Sequence, residues 1–422
     1  MTDCEDHDPH APSAGASHQD EAAAVASEPQ PPPLPRMPGS GSDLALDPGP
    51  GRDLIATPHD DHIFSHLLAS HAYDLEVDSS SDRSRILREP PDRSSDTDSA
   101  FGASDANSVT TSLNSQVQNY RFEFGRRYHA FREDQYWLPN DEDEADRLDL
   151  QHHVWRMTLD GKLFAAPLAP DVHRVLDIGT GSGIWAIEFA EEHPSAHVIG
   201  TDLSPIQPEW TPPNCEFWVD DAEKDWDFGG TPFDFVHARM LILGMHNWKR
   251  FFEQAWQHLK PGGWVEVQDV CLPVLCDDDS VAPDDALCKW SHLVHEAAAK
   301  GGIDTEAATK FDELLLQQGF SNIKEECIKW AIGSWPRGRK QKQIGVWTHE
   351  NLSQGLQGIS LALFTRQLGW SREEVEVFLV DVRKDINDRS KHYYWVMFNV
   401  FAQKPPEEQI PSPDRSSNSN SP

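Results

Sequence analysis

Three glycines at alternate positions follow an acidic residue in the stretch VLDIGTGSGIW, which spans residues 175–185. Val175 and Leu176 begin an apolar run that ends at the glycines, and apolar residues recur at helical spacing from Ile184 onward. The glycines therefore occupy a tight turn between a strand and a helix. Glycine accepts positive φ and lacks the Cβ that would hold a ligand away from the main chain. The next helix offers free N–H groups at its N-terminus, so the spacing predicts a site for a nucleotide-type ligand.

The spacing Gly179-x-Gly181-x-Gly183, with Asp177 in front, narrows the chemistry of this ligand. It departs from the G-x-G-x-x-G fingerprint of dinucleotide sites, and a P-loop is excluded because no Lys-Ser/Thr pair closes the turn. The acid-x-G-x-G-x-G form resembles motif I of class I S-adenosylmethionine-dependent methyltransferases, whose cofactor has no pyrophosphate. The ammonium group of that cofactor would suit a neighbouring acid such as Asp177. Binding of NAD remains an alternative, since it also uses an acid after the second strand.

Two later acidic positions are spaced as such a nucleoside requires. The stretch AHVIGTDLS (196–204) predicts a second strand that ends at Asp202, 25 residues after Asp177. This is close to the offset of about 20 residues expected for an acid that accepts ribose hydroxyls. A third predicted strand ends at Asp220 and Asp221, where an acid can reach the adenine edge. The predicted cofactor site comprises these residues and their neighbours: Asp177, Gly179, Thr180, Gly181, Gly183, Asp202, Leu203, Asp220 and Asp221.

Candidates for the acceptor side lie around the end of a fourth predicted strand, FDFVHARML (233–241). His237 is a weak candidate for the general base, with a structural histidine bonded to backbone as the alternative. Arg239 and His246 lie in the same region, His246 in a loop where solvation is the alternative. Three aromatic residues are candidates either to line an acceptor pocket or to pack within an N-terminal cap: Tyr128, Tyr136 and Trp137.

The elements that must position these residues follow the order of an open α/β sheet. LKPGGWVEVQD (259–269) predicts a helix end, a Pro-Gly-Gly turn and a fifth strand. Residues 308–335 predict a helix, a stop at Gly319 and a strand, and residues 348–404 predict two helices and a last strand. The expected fold is a class I, Rossmann-like sheet of seven strands with a helical N-terminal cap and a C-terminal helical insert. The cap is expected to present one apolar helical face: Leu148, Trp155, Leu159 and Leu163.

The composition limits the kinds of protein to which this chain can belong. The chain has 422 residues, with 36 Lys and Arg against 70 Asp and Glu, a net charge of −34. Direct binding to nucleic acid is not expected, because a basic surface is missing. No apolar run approaches the ~18 residues of a membrane span, and the acidic N-terminus is unlike a signal peptide, which predicts an intracellular protein in the cytoplasm or nucleus. Reduced thiols and no metal site are expected, since the cysteine spacings fit no zinc pattern: Cys4, Cys215, Cys271, Cys276, Cys288 and Cys327.

The composition also changes along the chain. Residues 1–119 are acidic, rich in Pro and Ser, and hold none of the 15 tryptophans, which predicts disorder. Within them, residues 60–77 could form a short amphipathic helix. The methyltransferase-like domain is expected over 120–404, with a disordered tail at 405–422. The basic cluster PRGRKQK (336–342) could be a nuclear address or an acid-binding patch, with a solvated loop as the alternative.

Several specific pieces of the sequence are similar to the LaeA-like (TAM-domain) methyltransferases of fungi. These are YWLPND, DLSPIQP, NCEF and LALFTRQLGWS, and the similarity covers roughly residues 120–404. The resemblance implies a seven-stranded class I fold and binding of S-adenosylmethionine. For the founding members it implies regulation of secondary metabolism in the nucleus with velvet-type partners. It matches Asp177 and the three glycines to motif I, Asp202 to the ribose acid and Asp221 to the adenine-side acid.

Two functional hypotheses follow. The first is an active methyltransferase that acts on a small metabolite or on a protein. The second is a non-catalytic or weakly catalytic regulatory subunit that binds S-adenosylmethionine and partner proteins. The glycine turn favours cofactor binding in both cases and carries no information about the acceptor.

Overall fold

The computed structural model describes residues 75–77, 120–129 and 136–407. In these residues the strands are β1 (Arg121–Glu123), β2 (Arg126–Tyr128), β3 (Arg174–Ile178), β4 (His197–Asp202), β5 (Cys215–Val219), β6 (Phe233–Arg239), β7 (Leu259–Leu275), β8 (Ser321–Ala331) and β9 (Tyr394–Gln403). Seven of them form one sheet in the order β5-β4-β3-β6-β7-β9-β8. Strands β3 to β7 run parallel, and β9 lies antiparallel between β7 and β8. The predicted seven-stranded α/β sheet with a closing antiparallel pair is confirmed.

The helices are α1 (Glu142–Thr158), α2 (Ile184–Glu192), α3 (Trp248–His258), α4 (Ala286–Lys300), α5 (Phe311–Gln318), α6 (Arg339–Leu363) and α7 (Arg372–Asn387). A 3-10 turn spans Ala307–Lys310, and a π turn spans Phe364–Leu368. The predicted stop after α5 is confirmed, because Gly319 has a φ of 102°. None of the helices in the described ranges is both long and apolar enough to cross a membrane.

The central strands are apolar on both faces, as expected of parallel strands covered by helices. β3 reads RVLDI and β6 reads FDFVHAR, and nearly all of their residues are buried. The fifth strand of the parallel set, β7, differs from its prediction. It begins directly after α3, passes through the Pro-Gly-Gly segment with a register shift against β6, and continues beyond residue 269 to Leu275. β7 pairs with β9 from Trp264 to Cys271 and again at Leu275, and this pairing explains the extension.

The N-terminal cap is only partly helical, which corrects its prediction. A hairpin of β1 and β2 precedes α1, and Asp141 caps α1 by accepting the N–H of Glu144. The expected apolar face is also wrong, since Leu159 follows the last helical residue and Leu163 lies beyond the helix. The buried residues of α1 are mostly polar, because this helix covers a cavity and not the apolar core alone: Glu144, Arg147, Gln151, His152, Val154, Trp155 and Thr158.

The C-terminal insert begins earlier than predicted, because α6 starts at Arg339. The basic cluster at 336–342 is therefore not a solvated loop throughout. Lys340 Nζ lies 3.0 Å from the carbonyl oxygen of Thr158 and 2.7 Å from Asp160 Oδ1. Arg337 Nη1 donates to Glu76 Oε2 at 2.7 Å. Part of this basic charge is thus used within the protein.

Several predictions fall largely outside the described residues. Most of the region 1–119, residues 408–422 of the tail and residues 60–74 of the amphipathic helix lie there. The three described residues at the end of that helix, 75–77, are not helical, and Val77 forms an isolated antiparallel bridge with Pro336. The cysteines within the described residues are unpaired. Cys271 is buried, while Cys276 and Cys288 are half-buried.

Candidate active site

A cavity of about 210 Å³ lies at the carboxyl edge of the parallel strands. Its lining residues between 177 and 239 follow β3, β4, β5 and β6, and we call them the cofactor half. The lining residues in 136–151, in 240–245 and from 270 onward we call the acceptor half. Ligands of open α/β sheets bind at this edge, so the cavity lies where the sequence placed the site.

The glycine turn has the backbone that the sequence predicted. Gly179, Gly181 and Gly183 have φ values of 65°, 58° and 83°. A Cβ at Gly179 would lie 2.2 Å from Cδ2 of Leu241, and one at Gly183 would lie 2.5 Å from Cζ of Phe217. Glycine is therefore required by both conformation and space. The main chain of the turn forms part of the cavity wall.

Asp177 lines the cavity, but its carboxylate is bonded within the protein. Thr180 Oγ1 donates to Asp177 Oδ2 at 2.6 Å, and His237 Nδ1 lies 2.7 Å from Asp177 Oδ1. Thr180 also donates its backbone N–H to the carbonyl oxygen of Thr201. These bonds hold the glycine turn against β4 and β6. The contact of Asp177 with a ligand ammonium stays a prediction.

His237 is wholly buried and stacked on Trp185, with ring centroids 3.8 Å apart and planes 4° from parallel. Burial lowers the pKa of His237, while its hydrogen bonds to Asp177 and Gln268 act in the opposite direction. The partner of its Nδ1 is thus a carboxylate, not the backbone that the sequence analysis considered. This confined position favours a role in fixing Asp177. Catalysis by His237 stays a prediction.

The ribose candidate Asp202 lies at the end of β4 beside the glycine turn. Its Oδ2 accepts the N–H of Gly181 at 2.9 Å, and its Oδ1 accepts the N–H of Ser204 at 2.9 Å. Burial raises the pKa of Asp202 to about 6. Leu203, the next residue, also lines the cavity. A carboxylate held this way has lone pairs left for two vicinal hydroxyls.

The acids after β5 complete the cofactor half. Asp220 and Asp221 both line the cavity. Asp220 donates its backbone N–H to the carbonyl oxygen of Asp202 at 3.0 Å, which joins the ends of β4 and β5. Asp221 is buried, and its Oδ1 accepts the N–H of Glu223 at 3.0 Å. The structure thus brings every residue of the predicted cofactor site to one end of the cavity, except Gly183, which begins α2 behind the turn.

Arg239 is the main residue of the cofactor half whose role the sequence did not predict. Its Nη2 donates to His152 Nδ1 at 3.0 Å, and the other side of that ring, Nε2, lies 2.9 Å from Glu188 Oε2. Burial lowers the pKa of His152 to about 4, so this ring is neutral at pH 7. Burial also lowers the pKa of Arg239, to about 10. No carboxylate of the described residues lies within ion-pair distance of this guanidinium, so a half-buried cation without an acid partner lines the cavity.

The polar edge of the acceptor half is a network between two helices. Arg147 of α1 donates from Nε and Nη2 to both carboxylate oxygens of Glu144, at 2.9 and 2.8 Å. Its Nη1 donates to Asn351 Oδ1 of α6 at 2.9 Å. This close approach depends on Gly355, where a Cβ would lie 2.8 Å from Arg147 Cδ. All three polar side chains line the cavity.

The aromatic candidates differ in whether they line the cavity, and His246 differs from its prediction in its bonding. Tyr136 lines the cavity, and burial raises the pKa of its hydroxyl. Tyr128 and Trp137 are buried but do not line the cavity, so they pack within the cap. His246 lies in a loop as predicted, but it is not simply solvated. Its backbone N–H and its Nδ1 lie 2.7 and 3.2 Å from the carboxylate of Glu223.

Asp269, near the end of the parallel pairing of β7, supports the loop that joins the two halves. It is wholly buried and accepts the N–H groups of Leu241 and Val270 at 3.0 and 2.8 Å. Burial raises the pKa of Asp269 to about 8. Met240, which precedes Leu241 in this loop, has a φ of 56°. The loop after β6 is therefore held in a defined turn over the glycines.

Sequence reasoning missed most of the acceptor half because its residues carry no local pattern. They lie on α1, α4, β8, α6 and β9, which are far apart along the chain, and only the folded sheet brings them together. No group of three or more His, Cys, Asp or Glu side chains in the described ranges is arranged to hold a metal ion. The missed lining residues include Glu144, Arg147, Gln151, Trp290, Trp330, Thr348, Asn351 and Trp395.

Comparison with known proteins identifies methyltransferases as relatives of this chain. A family profile described as "Methyltransferase domain" matches residues 150–325. The protein named methyltransferase pytC, from Aspergillus terreus, is 39% identical over 318 residues, which are 75% of this chain and 98% of that protein. The secondary metabolism regulator LAE1 of Cochliobolus heterostrophus is 36% identical over 66% of this chain and 92% of its own length. The protein-methionine methyltransferase laeA of Emericella nidulans is 33% identical over 70% of this chain and 79% of its own length.

The strand order, the glycine turn and the acids at the ends of β4 and β5 define a class I methyltransferase. The extent and identity of the matches show the family as well. The chain belongs to the LaeA-like family of fungal S-adenosylmethionine-dependent methyltransferases.

Proposed function

We propose that the cofactor half binds S-adenosylmethionine and that the methyl group passes to an acceptor in the acceptor half. The observation that carries this proposal is the arrangement of three features on one cavity wall. These are a glycine turn without Cβ atoms, the carboxylate of Asp202, and the half-buried cation of Arg239. Together they complement a ligand with a ribose and a carboxylate.

Each end of the cofactor has a partner in this arrangement. Asp202 accepts the ribose hydroxyls, Asp221 faces the adenine, and the main chain of the glycine turn lies against the nucleoside. Arg239 receives the methionine carboxylate, because a half-buried guanidinium without an acid partner favours an anion at that position. NAD fits less well, since Ile184 stands where the dinucleotide fingerprint G-x-G-x-x-G has its third glycine.

When bound, the cofactor supplies an electrophilic methyl group; the acceptor forms the new bond, the electron pair of the broken C–S bond stays on sulfur, and the acceptor proton passes to solvent. The protein's part is alignment and the exclusion of water. Asp269 and Thr180 hold the two loops that border the reacting atoms. His237 fixes Asp177 and acts as a positioning residue.

The first test is binding of S-adenosylhomocysteine to the full chain, measured by isothermal titration calorimetry. We expect one site per chain, and no competition by NAD. Absence of heat and of any thermal shift in a folded sample would refute the cofactor proposal. Transfer of a radiolabelled methyl group into a cell extract then separates the two functional hypotheses. Label in either fraction supports an enzyme, and binding without any transfer supports the regulatory subunit.

The cellular role is proposed from the relatives. LAE1 is named a secondary metabolism regulator, and we propose the same field of action for this chain, inside the cell. A velvet-type partner protein belongs to this proposal for a regulatory role. Direct binding to nucleic acid is not part of it, because the net charge of −34 opposes contact with phosphates. Co-purification of the tagged chain from its host, with and without salt, tests for such a partner.

A further inference from the structure

The deep part of the acceptor half is apolar but contains two polar groups without partners. Its walls include Trp290, Trp395, Leu352 and Met397, all buried. Thr348 is 1% exposed, and its Oγ1 has no hydrogen-bond partner among the described residues. The same is true of the indole Nε1 of Trp330, which is 2% exposed. Both residues line the cavity.

Both groups lie on elements that pack together, α6 and the end of β8. Trp330 lies near the end of β8, and Thr348 lies on α6 one turn after Gly345. At Gly345 the helix approaches the end of β8 so closely that a Cβ would lie 2.0 Å from the carbonyl oxygen of Gly333 and 3.4 Å from Ala331 Cβ. This contact places α6 beside the residue that follows Trp330. Thr348 lies one turn later on the same helix.

An unpaired buried donor costs free energy unless a ligand satisfies it. The indole N–H can only donate, and the hydroxyl can donate as well. A ligand that satisfies both must therefore present an acceptor oxygen between apolar faces. A methionine thioether is a weak acceptor and would leave the two donors unsatisfied. The Glu144–Arg147–Asn351 network does not compete for this oxygen, because its groups bond one another.

We propose that the acceptor half binds a small, flat, mainly apolar molecule with a carbonyl-type oxygen, and that Trp330 Nε1 and Thr348 Oγ1 donate to that oxygen. The methyl acceptor in this proposal is a small metabolite of this class. This assignment of substrate class rests on the proposed function, because it takes the neighbouring half as the cofactor site. Binding of such a molecule is measurable without any transfer.

The test uses two probes of nearly equal shape on the full chain saturated with S-adenosylhomocysteine. 2-Acetylnaphthalene carries the oxygen, and 2-ethylnaphthalene does not. We expect the ketone to bind about fivefold more tightly than the hydrocarbon, as one neutral hydrogen bond of ordinary strength would give. Affinities are measured by calorimetry or by quenching of tryptophan fluorescence.

Thr348→Val keeps the side-chain shape and removes the hydroxyl, and Trp330→Phe removes the indole N–H. Each should reduce the preference for the ketone at least twofold and leave S-adenosylhomocysteine binding unchanged. Thr365→Val is the matched control, because Thr365 Oγ1 donates to Leu361 O and the residue does not line the cavity. The ratio between the two probes is insensitive to a general loss of stability.

Equal binding of the two probes, failure of both to bind, or a preference that both variants retain would overturn the substrate class. Methyl label recovered only in protein would also overturn it. If S-adenosylhomocysteine itself does not bind, the proposed function fails instead, and the probe preference of the free protein still decides the question of the acceptor half.

Discussion

The two halves of the cavity are built in different ways. The cofactor half is made largely of residues 177–223, where consecutive strands end at one edge and each contributes a short loop. The acceptor half is made of α1, α4, α6 and three strand ends, which are separated by up to 260 residues along the chain. The first half is fixed by local backbone geometry. The second depends on helices added around a common sheet, so related chains can change their acceptor without changing the cofactor site.

The largest expected effect comes from adding one methyl group to the glycine turn. Gly179→Ala forces a Cβ to within 2.2 Å of Leu241 Cδ2 at a φ of 65°. We expect affinity for S-adenosylhomocysteine to fall by more than about a hundredfold, because the turn must shift away from its ligand. Calorimetry measures the affinity, and circular dichroism checks the fold.

Gly229→Ala is the matched control for this change. Gly229 also has a positive φ, 73°, but an added Cβ there meets nothing within 4 Å. Gly229→Ala should lower the free energy of unfolding by about 1 kcal/mol and leave ligand affinity unchanged. Equal affinities of the two variants would show that the turn does not contact the cofactor.

Arg239→Met removes the half-buried cation and keeps the apolar bulk of the side chain. We expect affinity for S-adenosylhomocysteine to fall about tenfold to a hundredfold, as the loss of charged hydrogen bonds implies. 5′-Methylthioadenosine has no amino-acid carboxylate, so its affinity should not change. A parallel loss for both ligands would contradict the assignment of Arg239 to the carboxylate.

Asp202→Asn should weaken both ligands, since each carries the ribose. An amide presents one acceptor oxygen where the carboxylate presents two, and the N–H groups of Gly181 and Ser204 already face it. The expected loss is about tenfold for each ligand. A loss confined to S-adenosylhomocysteine would place Asp202 at the methionine end and overturn the ribose assignment.

A smaller effect is expected from pH. Burial raises the pKa of Asp202 to about 6, so this group is mostly protonated at pH 5 and must lose its proton to accept two hydroxyls. Affinity for 5′-methylthioadenosine should therefore rise several-fold from pH 5 to pH 7 and then level off. The rise cannot exceed a factor of about ten per pH unit, because one proton is released. The stability of the free protein moves the other way, because a raised carboxyl pKa stabilises the fold at low pH and this contribution is lost as pH rises through 6.

Asp202→Asn serves as the control for the pH profile. The groups with which Asp202 interacts through charge or hydrogen bonds include Asp177 and the N–H groups of Gly181 and Ser204. The variant retains all of these and also the other buried carboxyls, Glu266 and Asp269. A profile that stays unchanged in the variant would assign the titration to one of the other carboxyl groups.

The glycine turn and the acids of the cofactor half could be predicted from the sequence because each of these features is local. Alternate glycines require positive φ, and acids at the ends of predicted strands must meet at one edge of a parallel sheet. Gly179 and Asp202 are examples of this kind. The partners of Asp177 could not be predicted, because His237 is adjacent to it only through the pairing of β3 with β6.

The cap and the acceptor half could not be predicted in this way. The buried side of α1 carries Glu144, Arg147 and Gln151, so a search for an apolar face chose the wrong residues. Thr348 and Trp330 have no pattern that distinguishes them from ordinary core residues. Their importance appears only when the packing of α6 on β8 leaves their polar atoms without partners inside a cavity.

A crystal structure of the full chain with S-adenosylhomocysteine tests the division of the cavity most directly. We expect the ribose at Asp202, the carboxylate at Arg239, and the sulfur directed into the compartment that contains Thr348 and Trp330. A ligand bound outside the cavity, or one that lies with its sulfur directed away from that compartment, would contradict the account.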